Sequence, residues 1–532
     1  MRQPNMKFLQ AILAGAIVLI LAATAPALAQ AQDAQLLVPQ PISVRDINGV
    51  DLLYGTFSDS PAAISVGPSG LGLVFQAVMT DRGVWTHNLS GGVVESCVYD
   101  ETIGQCTQPP VLNVSIGGLQ GVNFFEADGV WKPTNGQSST LVNSGGVWIY
   151  TSHDGHIATF SSPPDVLFEA PYSSIKQKSL ATITSIVNPS GEVYNYFYKF
   201  SDGISVLSSV ISTRGYQIFI EYLGGEISRA TAINNAIEHC VPTAATCATS
   251  SDWPHLNFVQ SSSTREVEDS LGGRTVYRFT RPESGARIRR ITGVRRAGRS
   301  SGWNLEIDYY KHVPINPFDQ VLYGHVISVR RDLDVWKYSE PGSGSQLTDP
   351  LGNISQYEIR NFGGSSSTMT VLKSITNTNG GVTTNAYDVR PGIGPVLLSV
   401  MQPEGNKIVY SYDARGNVTE ERAVSKTPGT PVDVVRRATY PATCANPITC
   451  NLPTSVTDAQ GGVTDYTYDA VGNLLTVTGP APTLGAARPQ TRYVWEQRYA
   501  WYKQNGSSAI TRAATPVWVQ VSQSQCMMGA TC

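Results

Sequence analysis

The chain is poor in charge. Only 15% of its 532 residues are Asp, Glu, Lys or Arg, and 38 bases against 41 acids leave a formal net charge of −3. So even a balance gives no global field to attract nucleic acid or an anionic membrane. Helix-length amphipathic stretches are scarce, the best being the short segment Ile227–Glu238, and a helical bundle is thereby excluded. Beyond residue 23 no long apolar run occurs, so no helix of a mature chain would be expected to span a membrane. No cysteine pair has C-x-x-C spacing matched by a second such pair, the spacing of the usual zinc frameworks. His239 beside Cys240, with His255 beyond Cys247, is the one hint of a metal.

Turn formers are abundant: 49 Gly and 32 Pro, with 24 Tyr. That is a turn-rich β composition. The first residues read as a secretory signal. Arg2 and Lys7 form a basic start, Phe8 to Ala23 is apolar, and Ala27-Leu28-Ala29 predicts cleavage after Ala29. The expected mature chain is exported to the periplasm, the cell surface or the medium. Cysteine use fits that compartment. The eight Cys fall as Cys97/Cys106, Cys240/Cys247, Cys444/Cys450 and Cys526/Cys532. An even number in an exported chain argues for disulfides. Pairing by proximity would close four small loops, each contributing somewhat less than the ~3 kcal/mol of a 15-residue loop.

The most informative feature is a repeated phrase between residues 188 and 473. It runs Asp or Asn, two residues, Gly, then Tyr five and often seven residues later. Its copies are Asn188…Gly191…Tyr196, Asp269…Gly272…Tyr277, Asp349…Gly352…Tyr357, Asn377…Gly380…Tyr387, Gln402…Gly405…Tyr410-Ser411-Tyr412 and Asp458…Gly461…Tyr466-Thr467-Tyr468. The Asp or Asn side chain can bond its own backbone two residues on, and Gly supplies a positive φ. The positions six, eight and ten past the start share one strand face. In two copies a second turn follows, at Asp413…Gly416 and Asp469…Gly472. Turn, strand, turn, strand describes a ribbon that keeps extending, and repetition of this kind defines an architecture.

Two of these phrases, Tyr412-Asp413-Ala414-Arg415-Gly416-Asn417-Val418-Thr419 and Tyr468-Asp469-Ala470-Val471-Gly472-Asn473-Leu474-Leu475-Thr476, resemble the YD repeat of RHS (rearrangement hotspot) proteins. The likeness is specific over 374–478 and recognisable back to about 185; Ser43–Leu52 resembles openings of long members. The resemblance implies a β-ribbon spiralling into a hollow shell, structural and non-catalytic repeats, and in bacterial polymorphic toxins an enclosed C-terminal effector. Complete members close the shell with an Asp-Pro-x-Gly self-cleavage core. Asp349-Pro350-Leu351-Gly352 matches that string, but its place in the array reads as an ordinary turn.

The expected fold is therefore all-β: an antiparallel ribbon of YD repeats forming an open or partial shell behind an N-terminal β-rich head. The division is 1–29 signal, 30–170 head, 171–478 ribbon with a Cys-closed insertion at 236–262, and 479–532 Pro-rich link and aromatic strands. Pro163-Pro164 marks the head–ribbon boundary. Within the head, Val147–Ser152 and Ile157–Phe160 flank Asp154-Gly155 and predict a hairpin.

Three further features bear on function. Arg287, Arg289, Arg290, Arg295, Arg296 and Arg299 form a local basic patch, suited to an anionic polymer, or else outward strand residues paired with acids. His153-x-x-His156 brackets a turn and lacks a third ligand. Asp332 and Asp334 share a strand face in the manner of a carboxylate pair, though paired glycosidase carboxylates come from separate elements. The leading reading is an exported, non-catalytic shell or scaffold whose partner is a downstream RHS core or effector polypeptide. A surface adhesin binding glycan through tyrosine-rich strands, and a secreted polysaccharide-active enzyme, stand as alternatives. No cofactor, no metal and no nucleic acid partner is expected.

Overall fold

The computed structural model describes residues 37–39, 42, 44–100, 105–107, 109–116, 121–161, 175–280, 290–299, 301–312, 322–342, 344–362, 369–427, 429–504 and 507–526. The signal segment with Ala29, the Pro163-Pro164 boundary, Arg287, Arg289 and Cys532 lie outside them. Among the described residues there is no α-helix, and the chain is antiparallel strand throughout.

The sheet begins as a ring. Strands Gly92–Asp100, Val111–Ser115, Val122–Ala127, Val130–Pro133, Thr140–Ser144, Val147–Thr151 and Ile157–Ser161 pair in succession. The hairpin read from Asp154-Gly155 is among them, with Trp148 opposite Phe160. The long strand Ile175–Val187 then closes the circle. Its first half pairs with Gly92–Val98 and its second with Ile157–Ser161. Its last residues also pair with Val193–Asn195, where the ribbon departs. From Val193–Ser201 each strand pairs with the next as far as Gln490–Arg498, which pairs with Val517–Cys526. A side hairpin, Trp501–Lys503 with Ile510–Arg512, stands off that last connection.

The segment Ile227–Glu238 is not helical. Glu226–Asn234 is a strand held between Tyr216–Leu223 and His255–Gln260. Its Ala230 and Ala232 face the core, so burial against neighbouring strands overrides helical spacing. The Cys-closed excursion also ends earlier than 262, because His255–Gln260 belongs to the ribbon.

The repeat phrase has a uniform geometry. In each turn starting at Asp269, Asp349, Asp413, Asp458 and Asp469, the carboxylate Oδ1 accepts from the backbone N–H two and four residues on, at 2.8–3.0 Å. Asn377 does the same. Gly272, Gly352, Gly416, Gly461 and Gly472 sit at φ of 82° to 87°, a region costly for any residue with a Cβ. Asp349-Pro350-Leu351-Gly352 is one more exposed turn of this set.

The tyrosines divide the work. Tyr196, Tyr410 and Tyr466, eight residues past each turn start, are buried. The tyrosine at ten makes a hydrogen bond: Tyr412 Oη donates to Leu397 O at 2.6 Å, Tyr468 to Pro453 O at 3.0 Å, Tyr387 to Leu372 O at 3.1 Å and Tyr198 to Ile183 O at 2.8 Å. Tyr222 donates likewise to Leu207 O at 2.8 Å, and Trp495 Nε1 to Leu474 O at 2.8 Å. Apart from Pro453, the acceptors have a common reason. Ile183, Leu207, Leu372, Leu397 and Leu474 each precede a residue that the ladder skips, namely Thr184, Ser208, Lys373, Leu398 and Leu475. A bulge disrupts the ladder locally, and a buried carbonyl needs a donor from elsewhere. The aromatic side chain supplies it from the strand that follows.

Candidate functional site: the ribbon face met by the N-terminal strands

A small separate sheet, Ser58–Val66, Leu73–Thr80 and Trp85–His87, lies against ribbon strands Tyr216–Leu223, Glu226–Asn234 and His255–Gln260. Its alternation puts Leu73, Phe75, Ala77 and Met79 on one face, all nearly inaccessible. These residues share one apolar cluster with Ile218, Ile220, Phe258 and Tyr277 of the ribbon. Trp85 meets Phe258 and Tyr277 edge-on, with centroids 5.0 and 5.6 Å apart, the geometry that aromatic quadrupoles favour. Further along, Leu37 joins a second cluster with Tyr410, Tyr466 and Tyr493. The N-terminal segment thus touches the ribbon from its early strands to its late ones.

Three acids of this segment reach the ribbon. Asp46 accepts the Tyr338 hydroxyl. Asp59 accepts Tyr277 Oη through one oxygen and Arg296 Nη2 at 2.6 Å through the other. Asp81 pairs with Arg290 inside the cluster, and Arg290 lies 5.5 Å from the Tyr309 ring. Burial pushes the Asp81 carboxyl above its ordinary value, against the pull of Arg290. Burial opposes the charge of Arg296, yet Asp59 more than offsets it and the guanidinium is held more firmly protonated. Burial also pushes Tyr277 and Tyr309 well up, so both hydroxyls stay neutral.

The basic patch is accordingly divided. Arg290 and Arg296 point into the N-terminal sheet. Arg295 and Arg278 flank Trp303, at 5.4 and 4.7 Å from its ring. Arg299 donates to Asp332 at 2.6 Å on the surface, where such a pair contributes little. The pairing of these arginines with acids elsewhere was one of the two readings of the sequence, and their partners sit up to 237 residues away. Asp332 and Asp334 do not form a carboxylate pair. Asp332 occupies a tight turn at φ 52°, and Asp334 opens the following strand. His153 bonds Ser138 at 3.1 Å and His156 lies 3.0 Å from Asp154; no group of three metal-ligating residues occurs among the described residues. Of the strand aromatics, Tyr196, Tyr277, Tyr410 and Tyr466 are buried, while Tyr357, Tyr412 and Tyr468 are half-buried. None stands clear as an open stacking platform.

Disulfides join Cys97 to Cys106, Cys240 to Cys247 and Cys444 to Cys450, with Cα separations of 5.8, 5.6 and 4.9 Å. Cys526 is also disulfide-bonded. The loop closed by Cys444–Cys450 bridges the ring and the ribbon. Its Ile448 packs at Gly155 and Gly472, and Asn451 Nδ2 donates to His153 O at 2.8 Å.

Some turns were missed in the sequence because their first residue is Ser or Thr. Ser212…Gly215 and Thr80…Gly83 close with the same Gly N–H to first-residue carbonyl bond, at 2.9 Å, and the hairpin turn read at Asp154-Gly155 closes in the same way from Ser152 at 3.1 Å. The Ser or Thr hydroxyl replaces the carboxylate. Asp46…Gly49 is a further full copy, with Asp46 Oδ1 accepting from Asn48 and Val50 at 2.9 Å.

Residues 451–483 match the family model of the RHS Repeat. The chain carries an RHS repeat. Among solved structures, the TcdB2-TccC3-Cdc42 complex is similar at 12% identity and a TM-score of 0.32, covering 87% of this chain and 27% of that one. The Photorhabdus luminescens Tc holotoxin pore, with a TccC3 mutation, is similar at 12% and 0.33, covering 86% and 26%. This RHS-repeat chain thus spans about a quarter of the length of those relatives. No protein of curated function matches it.

Proposed function

We propose that the chain is a stretch of shell wall: an exported, non-catalytic RHS-repeat scaffold that joins further ribbon or an effector polypeptide. One observation carries this reading. The chemically versatile side chains of the repeat are used as joints, with aspartates closing turns and tyrosines capping carbonyls of the preceding segment. A wall built this way extends by adding strands, and the tyrosine of each new strand secures the one before it. A place within a toxin or effector-carrying assembly is proposed by analogy with the Tc complexes named above. The test is co-expression with the polypeptides encoded next to this chain. A co-purifying partner that resists protease until the wall is unfolded supports the reading. Failure of every neighbouring polypeptide to co-elute contradicts it. Export is tested separately by the N-terminal residue of the secreted protein, expected to be Gln30.

A further inference from the structure

Neighbouring strands of the long sheet are antiparallel, so successive connections fall alternately on its two edges. Where the chain comes back on itself, the two edges meet in a seam. Gly136, Gly155, Gly191 and Gly215 stand at four connections of one edge, each with φ of 79–86°. Val396, Ile448, Trp518 and Tyr502, from the other edge and much later in the chain, come in that order within 3.7 Å of where a Cβ on those glycines would be. Backbone bonds fasten the seam: Gly136 N donates to Ile393 O at 2.6 Å, Trp518 N to Ser190 O at 2.9 Å and Lys503 N to Asn235 O at 3.0 Å. Its rule is an apolar side chain seated on a glycine, whose missing Cβ permits the close approach.

The glycine-bearing edge runs on past the seam. Later connections on it carry Gly272, Gly352, Gly380 and Gly461 with φ of 78–86°, and no described atom lies within 4 Å of a Cβ placed on any of them. Leu271 and Leu351, each one residue before its glycine, are 94% and 87% exposed. These are seats of the same kind, unfilled. The opposite edge of the early strands holds the complement. There the connections at Gly203 and Gly224 are equally open, and Phe200 and Leu223 beside them are 61% and 79% exposed. Gly352 and Gly380 are consecutive connections on their edge, as Gly203 and Gly224 are on theirs, so each pair is two strands apart, about 10 Å. The rows match in pitch, and apolar side chains this exposed gain from burial. We propose that a second copy of this chain stacks head to tail on the first, seating Phe200 and Leu223 over the glycines that follow the seam. The contact joins unlike edges, so it repeats without closing. It rests on the wall reading and names another copy as the partner of that wall.

Sedimentation velocity of the full-length secreted protein tests the stack over about 1–100 μM, a range that catches even the weaker interfaces of ordinary size. Species of several copies that grow with concentration are expected. Phe200→Asp with Leu223→Asp disables one edge, and Leu271→Asp with Leu351→Asp disables the other. All four side chains are exposed, so unfolding midpoints should stay unchanged; Ser replaces Asp in any variant that fails to fold. Each variant alone is expected to associate at least about ten-fold more weakly. An equimolar mixture of the two should form dimers and stop there, because each variant keeps one intact edge. A wild type monomeric throughout, association untouched by either pair, or variants that fail to complement each other overturns the proposal. Capture of a neighbouring polypeptide by a wild type that stays monomeric upholds the wall reading and overturns this one.

Discussion

Two copies of the repeat use the same turn for different ends. In the copy beginning at Asp269, Tyr277 is fully buried and gives its hydroxyl to Asp59 of the N-terminal sheet, and Phe279 follows where a second tyrosine would stand. In the copy beginning at Gln402, Tyr410 is buried and Tyr412 caps Leu397 O. The turns and strand phase are alike. What differs is the surface the strand meets. Where the ribbon packs on itself, the second aromatic serves its own backbone. In the Asp269 copy, which meets the N-terminal sheet, that position is apolar and the polar joint reaches across 218 residues, although Tyr222, on another strand that carries the sheet, still caps Leu207 O.

The largest effect should come from breaking the joint between the two regions. Asp81→Ala leaves Arg290 buried against the Tyr309 ring with its carboxylate removed. A loss of about 3–5 kcal/mol in urea unfolding is expected. Asp59→Ala should cost less, because the Arg296 side chain is 37% exposed and water can take over. Two glycines sharpen the comparison next. Gly416 and Gly461 have φ of 87° and 85°, so alanine strains both by about 1 kcal/mol. A Cβ at Gly416 would also strike the backbone oxygen of Gly136 in the ring, whereas Gly461 faces open space. Gly416→Ala should therefore lose a further ~1–3 kcal/mol from overpacking, and equal losses for the two would refute the ring–ribbon contact.

Tyr412→Phe removes the donor to Leu397 O and keeps the ring. The expected loss is about 1–3 kcal/mol, the cost of an unsatisfied buried acceptor. The smallest effect is a pH dependence. Burial pushes the Tyr387 hydroxyl up to about 12 from an ordinary 10. Its folded form keeps a proton that the unfolded chain releases, so the stability it contributes is full below about pH 10 and is lost as pH rises towards 12. The unfolding midpoint of the wild type should fall across that window, and Tyr387→Phe should flatten the slope.

The comparison also explains what could be read from the chain. The turns were legible because Asp or Asn with Gly three residues on is a local signal, complete within five residues. The Tyr-x-Tyr strands were legible as a face, though not as joints, because a bulge in the preceding strand leaves no mark in sequence. The hidden turn at Ser212 needed only a wider first position. The fate of Arg290 and Arg296 was not accessible. A basic cluster looks the same whether it meets solvent or Asp59 and Asp81, and only the fold places those acids beneath it.

The central claim is that the second tyrosine of each self-packed repeat holds the strand behind it. Hydrogen–deuterium exchange of the wild type and Tyr412→Phe tests it most directly. The account predicts faster exchange confined to the amides of Gly394–Met401 and Val418–Val424, with Arg274–Thr280 unchanged. Exchange unaltered around Leu397, or raised equally across both regions, would contradict it.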